Sequence, residues 1–353
     1  MIDYNSAQPW IRNIEVILGP LGELDLNQGP PNPNNGKRIF SDGTQAGLRV
    51  RFNVKKHIVS TGAPTSIDIY NLSEATRQSI KNNLTQVALN IGYANITGMR
   101  NIFTGSVLSC FSYREGADIV TSLSCLQFYG GLTQICKIEM LPDNNGKAQS
   151  GQISVANNKL VKKIDFSGDT KDGSGMTLAG IVKSIAQEIV GVYFDPTLVM
   201  VPDVVFKGKG IAFRGQIQDV LNKLARQYGF SWFIDAARFY AVTDGSAISS
   251  RPVVISSDNG YLIRAEPMFH GPLQGQIGVS ITSVLNPLID LKPGARIQLK
   301  SSVNPGLNNG VNPAYISDNQ GLGYVVTDLT HSGDSHSSQW LSHMECKFMG
   351  VRK

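Results

Sequence analysis

Residues 48–54 alternate strictly between apolar and polar side chains, and this run constrains the fold more than any other part of the sequence. Successive side chains of a strand point to opposite faces, so the apolar members of the run would share one buried face. These members are Leu48, Val50, Phe52 and Val54. Residues 11–18 and 65–70 show the same alternation. The N-terminal part of the chain is therefore predicted to form half-buried strands.

One short helix is predicted among these strands. Ser73 is placed to cap it, and Glu74 lies where a carboxylate interacts favourably with the helix dipole. The helix would end near Asn83. Further strands are predicted at residues 86–93, 102–113 and 118–128, the last two forming a hairpin across residues 114–117. One helix within five or six antiparallel strands indicates a small barrel, closed or nearly closed.

The segment at residues 27–36 interrupts the strand pattern. It contains three prolines and no apolar residue. Such a composition predicts a loop or a mobile arm.

Between about residues 170 and 250, the apolar period changes from that of a strand to that of a helix. Two helical faces are predicted, and Gly229 is placed to end the second helix. The faces consist of Leu178, Ile181, Val182, Ile185 and Ile189, and of Ile217, Val220, Leu221, Leu224 and Tyr228. Short strands are predicted around them at residues 204–206, 211–213, 231–234 and 239–242, with residues 235–238 as a hairpin turn. This pattern indicates a compact α/β module.

The C-terminal part returns to a strand pattern. Strands are predicted at residues 278–283, 295–300, 323–330 and 338–349, and residues 301–321 form a loop rich in Asn, Gly and Pro. No short-period repeat runs through the chain, although the two outer β segments could be structurally alike. The predicted fold class is mainly β with an α+β insertion. The predicted domains are residues 1–168, 169–250 and 251–353.

The charge content limits the classes of partner. Charged residues make up 17% of the chain, below the roughly 25% that is usual, and the net charge is +5. Low charge is typical of surfaces buried against other subunits, and equally of β-rich surfaces with many Ser, Thr, Asn and Gly residues. The densest basic clusters, at residues 55–57 and 162–163, are too short for a polyanion-binding patch. They are predicted to be solvated strand ends, and no sequence-specific nucleic-acid partner is expected.

Cellular location is addressed by three further features. Residues 1–10 lack a basic segment followed by an apolar run, so no signal peptide is expected. No apolar stretch approaches the roughly 20 residues of a membrane span, so no membrane partner is expected. The cysteines show no metal-ligand spacing, and buried free thiols made in a reducing cytoplasm are the expected state. The cysteines are Cys110, Cys125, Cys136 and Cys346.

Recognisable catalytic motifs are missing from the sequence. It has no GxSxG, HExxH, P-loop or strand-following GxGxxG pattern. One cluster of titratable residues could form a metal or acid–base site. It consists of His331, Asp334 and His336, with His343 further along the chain. A polar hairpin turn in which Asp334 caps its own loop is favoured instead. We therefore predict no enzyme, no catalytic, cofactor-binding or metal-binding residues, and no cofactor.

The three tryptophans are isolated in the sequence. Trp10, Trp232 and Trp340 each lie beside strand-like apolar residues. Core packing is therefore expected for them rather than ligand stacking.

Four segments resemble the baseplate hub proteins of contractile phage tails, a group similar to the N-terminal region of the VgrG spike proteins. Residues 66–73 (SIDIYNLS) resemble the strand that leads into the short helix of a tail-tube-like barrel, and residues 103–107 with residues 118–121 fit the same barrel. Residues 283–294 resemble the family's "LLNP…L.PG" segment, and residues 331–340 its closing "H.GD…W" hairpin. Residues 131–175 match nothing in the family's pattern.

This resemblance implies two tail-tube-like β-barrels that flank the α/β module. It also implies a homotrimeric structural hub in the virion baseplate, assembled in the host cytoplasm. Such a hub is a symmetry adaptor that joins the hexameric tail tube, or a tube-initiator protein, to a trimeric central spike. Other baseplate proteins are further implied partners. The segment at residues 27–36 would be an arm that reaches a neighbouring ring.

Two alternatives stay open at the level of the sequence. A tail-associated cell-wall hydrolase would make use of His331, Asp334, His336 and His343 together with the unmatched residues 131–175. A tail-tube or tail-completion subunit would need only one barrel, and the chain is long for that.

Overall fold

The structure is a computed structural model that describes most, but not all, of the chain. The described residues are 12–19, 37–41, 47–58, 64–82, 86–93, 98–127, 135–142, 148–157, 160–165, 175–189, 192–207, 211–249, 251–258, 260–269, 276–286, 291–304, 307 and 323–349. The predicted arm at residues 27–36, Trp10 and most of the loop at residues 301–321 lie outside them. The described chain is mainly β, as predicted, with a large and mostly antiparallel sheet.

The N-terminal β unit consists of seven strands and one helix. They are β1 (Arg12–Gly19), β2 (Lys37–Ser41), β3 (Val50–His57), β4 (Thr65–Tyr70), α1 (Glu74–Asn82), β5 (Gln86–Tyr93), β6 (Arg100–Glu115) and β7 (Asp118–Leu126). As predicted, Ser73 caps α1, because its Oγ accepts a hydrogen bond from the Thr76 amide at 3.3 Å. The β6–β7 hairpin also forms where it was predicted, with Gly116 in the left-handed region that the turn requires.

The middle segment holds two helices among nine short strands. They are β8 (Ile135–Pro142), β9 (Ala148–Asn157), β10 (Leu160–Asp165), β11 (Gly175–Thr177), α2 (Leu178–Gln187), β12 (Val199–Met200), β13 (Val205–Lys207), β14 (Ile211–Gln216), α3 (Ile217–Tyr228), β15 (Phe230–Asp235) and β16 (Arg238–Thr243). Gly229 ends α3 in a left-handed conformation, as predicted. The apolar faces of both helices lie in one hydrophobic core with Trp232 and Phe239.

The segment that matched nothing in the resemblance, residues 131–175, contains β8, β9 and β10. These strands form an antiparallel sheet that continues into β14, through pairing of β8 with residues 211–216. In the ladder, they therefore join the strand that leads into α3. The division at residues 168, 169, 250 and 251 stays a prediction.

The C-terminal β unit consists of six strands. They are β17 (Val253–Ser256), β18 (Leu262–Phe269), β19 (Gln276–Val284), β20 (Arg296–Lys300), β21 (Tyr324–Asp334) and β22 (Trp340–Phe348). Its own hydrophobic core includes Ile281, Leu299 and Met344. The strand pattern of the sequence did not predict β17 or β18.

The two β units have the same topology. Hydrogen-bonded neighbours follow the order β3-β4-β7-β6-β5-β1 in the N-terminal unit and β18-β19-β22-β21-β20-β17 in the C-terminal unit. If β2 is left out, each strand in one series has the same rank in chain order as the strand at the same place in the other series. The units differ in α1 and in the last pair, which is antiparallel for β1–β5 and parallel for β17–β20. The expectation that the outer segments are structurally alike thus agrees with the strand order.

The large sheet curls so that β5 of the N-terminal unit approaches β22 of the C-terminal unit. Tyr93 on β5 packs 6.1 Å, centroid to centroid, from Trp340 on β22, and its hydroxyl donates to the Leu285 carbonyl at 3.0 Å. β5 and β22 lie six steps apart along the ladder, so a flat sheet would separate them by nearly 30 Å at about 4.8 Å per step. The contact therefore requires strong curvature. The ladder of described strands nevertheless stays open, with β2 and β18 at its ends.

Candidate functional site

The histidines near residue 331 do not form a common site. His331 is 3% exposed, and its Nδ1 is paired with Ser342 Oγ at 2.9 Å. His343 lies one pleat away on the opposite face, where its ring contacts Thr282 Oγ1 at 3.2 Å. The His336 ring is paired with Ser335 Oγ. Within the described part of the chain, no group of three or more His, Cys, Asp or Glu side chains could hold a metal ion.

Asp334 fastens the turn after β21 to the start of β3. It accepts a hydrogen bond from the His336 amide at 2.9 Å, the loop-capping role that the sequence suggested. It also accepts hydrogen bonds from Arg49, the shortest at 2.6 Å. Burial alone would raise the pKa of Asp334, but these hydrogen bonds and the Arg49 charge hold that pKa below its ordinary value. The residue is thus a structural anchor between the two β units.

β21 connects the two β units by changing partners along its length. Its first residues, Tyr324 and Val325, pair with β20, whereas residues 328–334 pair with β3. The change occurs beside a bulge at Thr327, where β21 has one extra residue against β22. We call the pairing of β21 with β3 the seam. The seam makes the two units one continuous sheet.

Two polar side chains, those of His331 and Lys56, are buried on the inner face of the seam. Val54 belongs to the N-terminal core, and Leu329 belongs to the C-terminal core. His331 lies opposite Val54 in the ladder, between these cores. Complete burial, and secondarily the charge of Lys56, lowers the pKa of His331 well below its usual range, so the ring is neutral at physiological pH.

Lys56 corrects one sequence prediction. The cluster at residues 55–57 was expected to be a solvated strand end, but the Lys56 side chain is 4% exposed and forms an ion pair with Asp235. The prediction was wrong because β3 continues into the seam, where Asp235 of the middle segment covers this position. The alternation of residues 50, 52, 54 and 56 was the signal that could have revealed it. Lys162 and Lys163 lie on β10, where the side chains are outside the described set.

The tryptophans and cysteines largely behave as predicted. Trp232 is buried in the core of the middle segment and Trp340 in the N-terminal core, and Trp232 Nε1 donates to Asn222 at 3.1 Å. All four cysteines are free, and three of them are buried. Cys110 on β6 is the exception, since it is only half-buried. Burial raises the pKa of the Cys125 thiol to about 12, so it stays protonated and unreactive.

Several strand edges of the sheet lack a described neighbour, among them β2, β18 and part of β6. β5 pairs with β6 only as far as Ser106, so residues 107–115 have a described partner on the β7 side alone. Phe111 and Tyr113 stack on each other along this edge and are 55% and 38% exposed. We call residues 107–115 the β6 edge. Sequence reasoning predicted the strand but not its missing neighbour.

A second such edge is β18, which ends the ladder in the C-terminal unit. It pairs with β19 on one side and has no described strand on the other, and Asn304 Nδ2 donates to the Ala265 carbonyl at 3.1 Å. Ile263 and Phe269 on it are largely exposed, and Arg264 is paired with Glu266 on the same strand. Unpaired edges with exposed apolar side chains are ready to add a further strand, so these two edges are the candidate assembly surfaces.

Among the described residues, none of the helices is long and apolar enough to span a bilayer.

The comparisons with known proteins bear on the fold. No protein-family model and no curated protein matches the sequence. Among solved structures, the tail protein of Neisseria meningitidis MC58 is similar at a TM-score of 0.53 and 11% identity, over 97% of this chain and 98% of that one. The 43 kDa tail protein of prophage MuSo2 from Shewanella oneidensis is similar at a TM-score of 0.50 and 10% identity, over 96% of each chain. The chain therefore has the fold of phage tail proteins, as the resemblance in its sequence predicted.

Proposed function

We propose that this protein is a structural hub of a phage tail baseplate, a homotrimer that joins the hexameric tube of a contractile tail to a trimeric central spike. The fold shared with two tail proteins over nearly the whole chain supports a tail role. The protein would reside in the virion after assembly in the host cytoplasm.

The observation that carries the proposal is the repeated topology of the two β units in one continuous sheet. Three chains would bring six such units into a closed ring, and a closed ring is the usual form of a cyclic assembly. A six-unit face can match a hexameric tail tube or tube-initiator protein. The trimer keeps true threefold symmetry elsewhere.

The middle segment supplies the threefold element. It occurs once per chain, between the two β units, so a trimer carries three copies and a spike can recognise them. Lys56 and Asp235 fix this segment to the seam, and a fixed module presents the same surface in every copy. The spike and other baseplate proteins are the partners we propose for that side.

A catalytic role is not part of the proposal. The hydrogen-bonding groups of His331 and Asp334 are used in structural contacts, which argues against a cell-wall hydrolase built on them. A tail-tube subunit is less well supported, because a hexameric tube needs one β unit per chain whereas this chain has two.

The mass of the purified protein in solution, measured by light scattering over a range of concentrations, tests the proposal. A trimer, seen by electron microscopy as a ring of six lobes, is the expected result. A hexamer or a filament would favour the tube subunit instead. Clearing of purified cell walls by the wild-type protein, lost in Asp334→Ala, would overturn the non-enzymatic assignment.

A further inference from the structure

We infer that the β6 edge of one copy pairs, antiparallel, with β18 of the next copy, and that this contact repeats between chains the seam that joins the two units within a chain. The inference rests on the proposed assembly of several copies, but it names the strands and their register. It is carried by a residue-by-residue correspondence between the two β units.

The first step equates β6 with β21. Each strand pairs along its first part with the preceding strand in the chain, β5 or β20. Each also pairs with the following strand through the bulge to its end, β6 with β7 from Ser106 and β21 with β22 from Tyr324. Both strands contain a one-residue bulge just after a valine that lies opposite a cysteine. The pairs are Val107 with Cys125 and Val326 with Cys346, and the extra residues are Leu108 and Thr327. Bulges are specific features that fix register, so this match sets the alignment.

The second step concerns the residues after the bulge. In β21, residues 328–334 pair with β3 and form the seam. In β6, the corresponding residues 109–115 have no described partner on that side. The position that β3 fills beside β21 is therefore open beside β6.

The third step identifies the occupant. β18 holds in the C-terminal unit the place that β3 holds in the N-terminal unit, since it pairs with β19 as β3 pairs with β4. Within one chain, β3 pairs with β21, whereas β18 ends the ladder with no described strand on its other side, where its backbone accepts a single side-chain hydrogen bond, from Asn304 to the Ala265 carbonyl. An unpaired β6 edge on one copy and an unpaired β18 on the next give a head-to-tail contact, which closes into a ring when the rotation fits.

The register is set by the same alignment. Asp334 and Glu115 both lie seven residues after the bulge, and Asp334 lies opposite Arg51 in the seam. Asp68 and Thr282 are equivalent positions, because they lie opposite Ser122 and His343, each three residues before the aligned cysteine. Arg51 pairs with Asp68 and Arg264 pairs with Thr282, so Arg264 occupies the place of Arg51. Between chains, the pairs on the outer face are Glu115 with Arg264, Tyr113 with Glu266, and Phe111 with Met268.

The chemistry of these pairs fits the register. Glu115 would lie opposite Arg264 at the turn end, as Asp334 lies opposite Arg51 in the seam. In the seam, Asp334 forms its ion pair with Arg49, and Arg51 is paired with Asp68 and lies 3.7 Å from Glu115 of the same chain. Phe111, now more than half exposed, would be covered by the thioether side chain of Met268. Aromatic and opposite-charge pairs across neighbouring strands stabilise a sheet.

Pro267 in β18 limits which strands can add to this edge. Proline cannot donate a ladder hydrogen bond, so at most one bond of the new pairing is lost at this position. Proline and charged residues on an exposed edge are common means of preventing indiscriminate pairing. The strand is thus selective, and its exposed Arg264 and Glu266 require a partner with matching charge and shape.

Disulfide trapping between two variants, purified separately and then unfolded and refolded together so that their copies mix, tests the register. Phe111→Cys mixed with Met268→Cys, and Tyr113→Cys mixed with Glu266→Cys, should give a cross-linked product of twice the chain mass under mild oxidation. Each variant also carries Cys110→Ser, because the half-buried native thiol lies beside residue 111. The same four variants supply the controls: the exchanged mixtures, residue 111 with 266 and 113 with 268, are diagonal pairs about 7–8 Å apart and should cross-link poorly.

Light scattering on the same mixtures separates this inference from the proposed function. A trimer without the expected cross-links overturns the pairing and leaves the hub intact. Cross-links in a hexamer or filament support the pairing and remove the trimeric hub. Cross-linking of Phe111→Cys with itself would show a β6–β6 contact and overturn the inference. So would a monomer without cross-links at the highest soluble concentration.

Discussion

Lys56 Nζ lies 2.5 Å from Asp235 Oδ1, and this buried contact joins the middle segment to the seam between the two β units. Both side chains are almost fully buried, and Asp235 Oδ1 has no partner of hydrogen-bond geometry in addition. The ion pair therefore helps to offset the desolvation of two buried charges. Such a pair fixes how two parts fit together more than it adds to stability.

Replacing one member of this pair should be far more costly than replacing both. Lys56→Met leaves the Asp235 carboxylate buried without its counter-charge, so a loss of about 3–5 kcal/mol in the free energy of unfolding is expected. The double variant Lys56→Met/Asp235→Leu should recover most of that loss. Urea unfolding of the three proteins provides the comparison. Equal losses in the single and double variants would show that the pair is not coupled.

His331 should make the protein sensitive to mild acid. Its folded pKa is lowered while the unfolded pKa stays near 6.5, so below about pH 6.5 the unfolded state binds a proton that the folded state refuses. Stability is therefore complete above that pH and falls by up to about 1.4 kcal/mol per pH unit below it, until the folded pKa is reached. His331→Asn should abolish this part of the pH dependence.

The control for His331 is Ser342→Ala, which removes the partner of the ring but not the titrating group. It should lower the urea midpoint at both neutral and acidic pH and keep the wild-type pH dependence. If His331→Asn retains the acid sensitivity of the wild type, another group is responsible for it.

The turn between β15 and β16 carries backbone strain that can be relieved. Ala236 and Ala237 have φ values of 45° and 62°, a conformation that two-residue hairpin turns require and that glycine adopts without cost. Ala236→Gly should therefore raise the free energy of unfolding by up to about 1 kcal/mol. Ala75→Gly in α1 is the matched substitution at a helical residue and should lower it by about as much. Thermal unfolding of both variants decides the matter.

The sequence predicted elements more readily than their long-range partners. The alternation of residues 48–54 and the helical face of Val220 and Leu224 identified β3 and α3, because a local period reports one buried face. β18 was missed because Arg264, Glu266 and Pro267 break any apolar alternation on a strand that has only one described neighbour. Edge strands carry such residues for a physical reason, so a pattern search passes over them.

The seam and the candidate edges were beyond local reasoning. Residues 51 and 334 pair across most of the chain length, and nothing in either local pattern specifies the other. The local sequence also does not predict that the β6 edge lacks a neighbour, since this depends on β5 ending its pairing with β6 at Ser106. Lys56 was the exception: its place in the alternation marked it as inward-facing, and its charge alone argued otherwise.

Truncating the aromatic pair on the β6 edge should separate assembly from folding. Phe111 and Tyr113 are exposed and stack mainly on each other, so Phe111→Ser/Tyr113→Ser should change the free energy of unfolding by no more than about 0.5 kcal/mol. Self-association should weaken at least tenfold, because the loss of about 1.4 kcal/mol of contact free energy between copies has that effect. Val205→Ser, at an exposed position on β13 in the separate two-stranded sheet, should leave association unchanged. Sedimentation over a range of concentrations measures association, and urea unfolding measures stability. A variant that unfolds more easily yet assembles normally would mean that these aromatic side chains support the hairpin rather than the contact between copies.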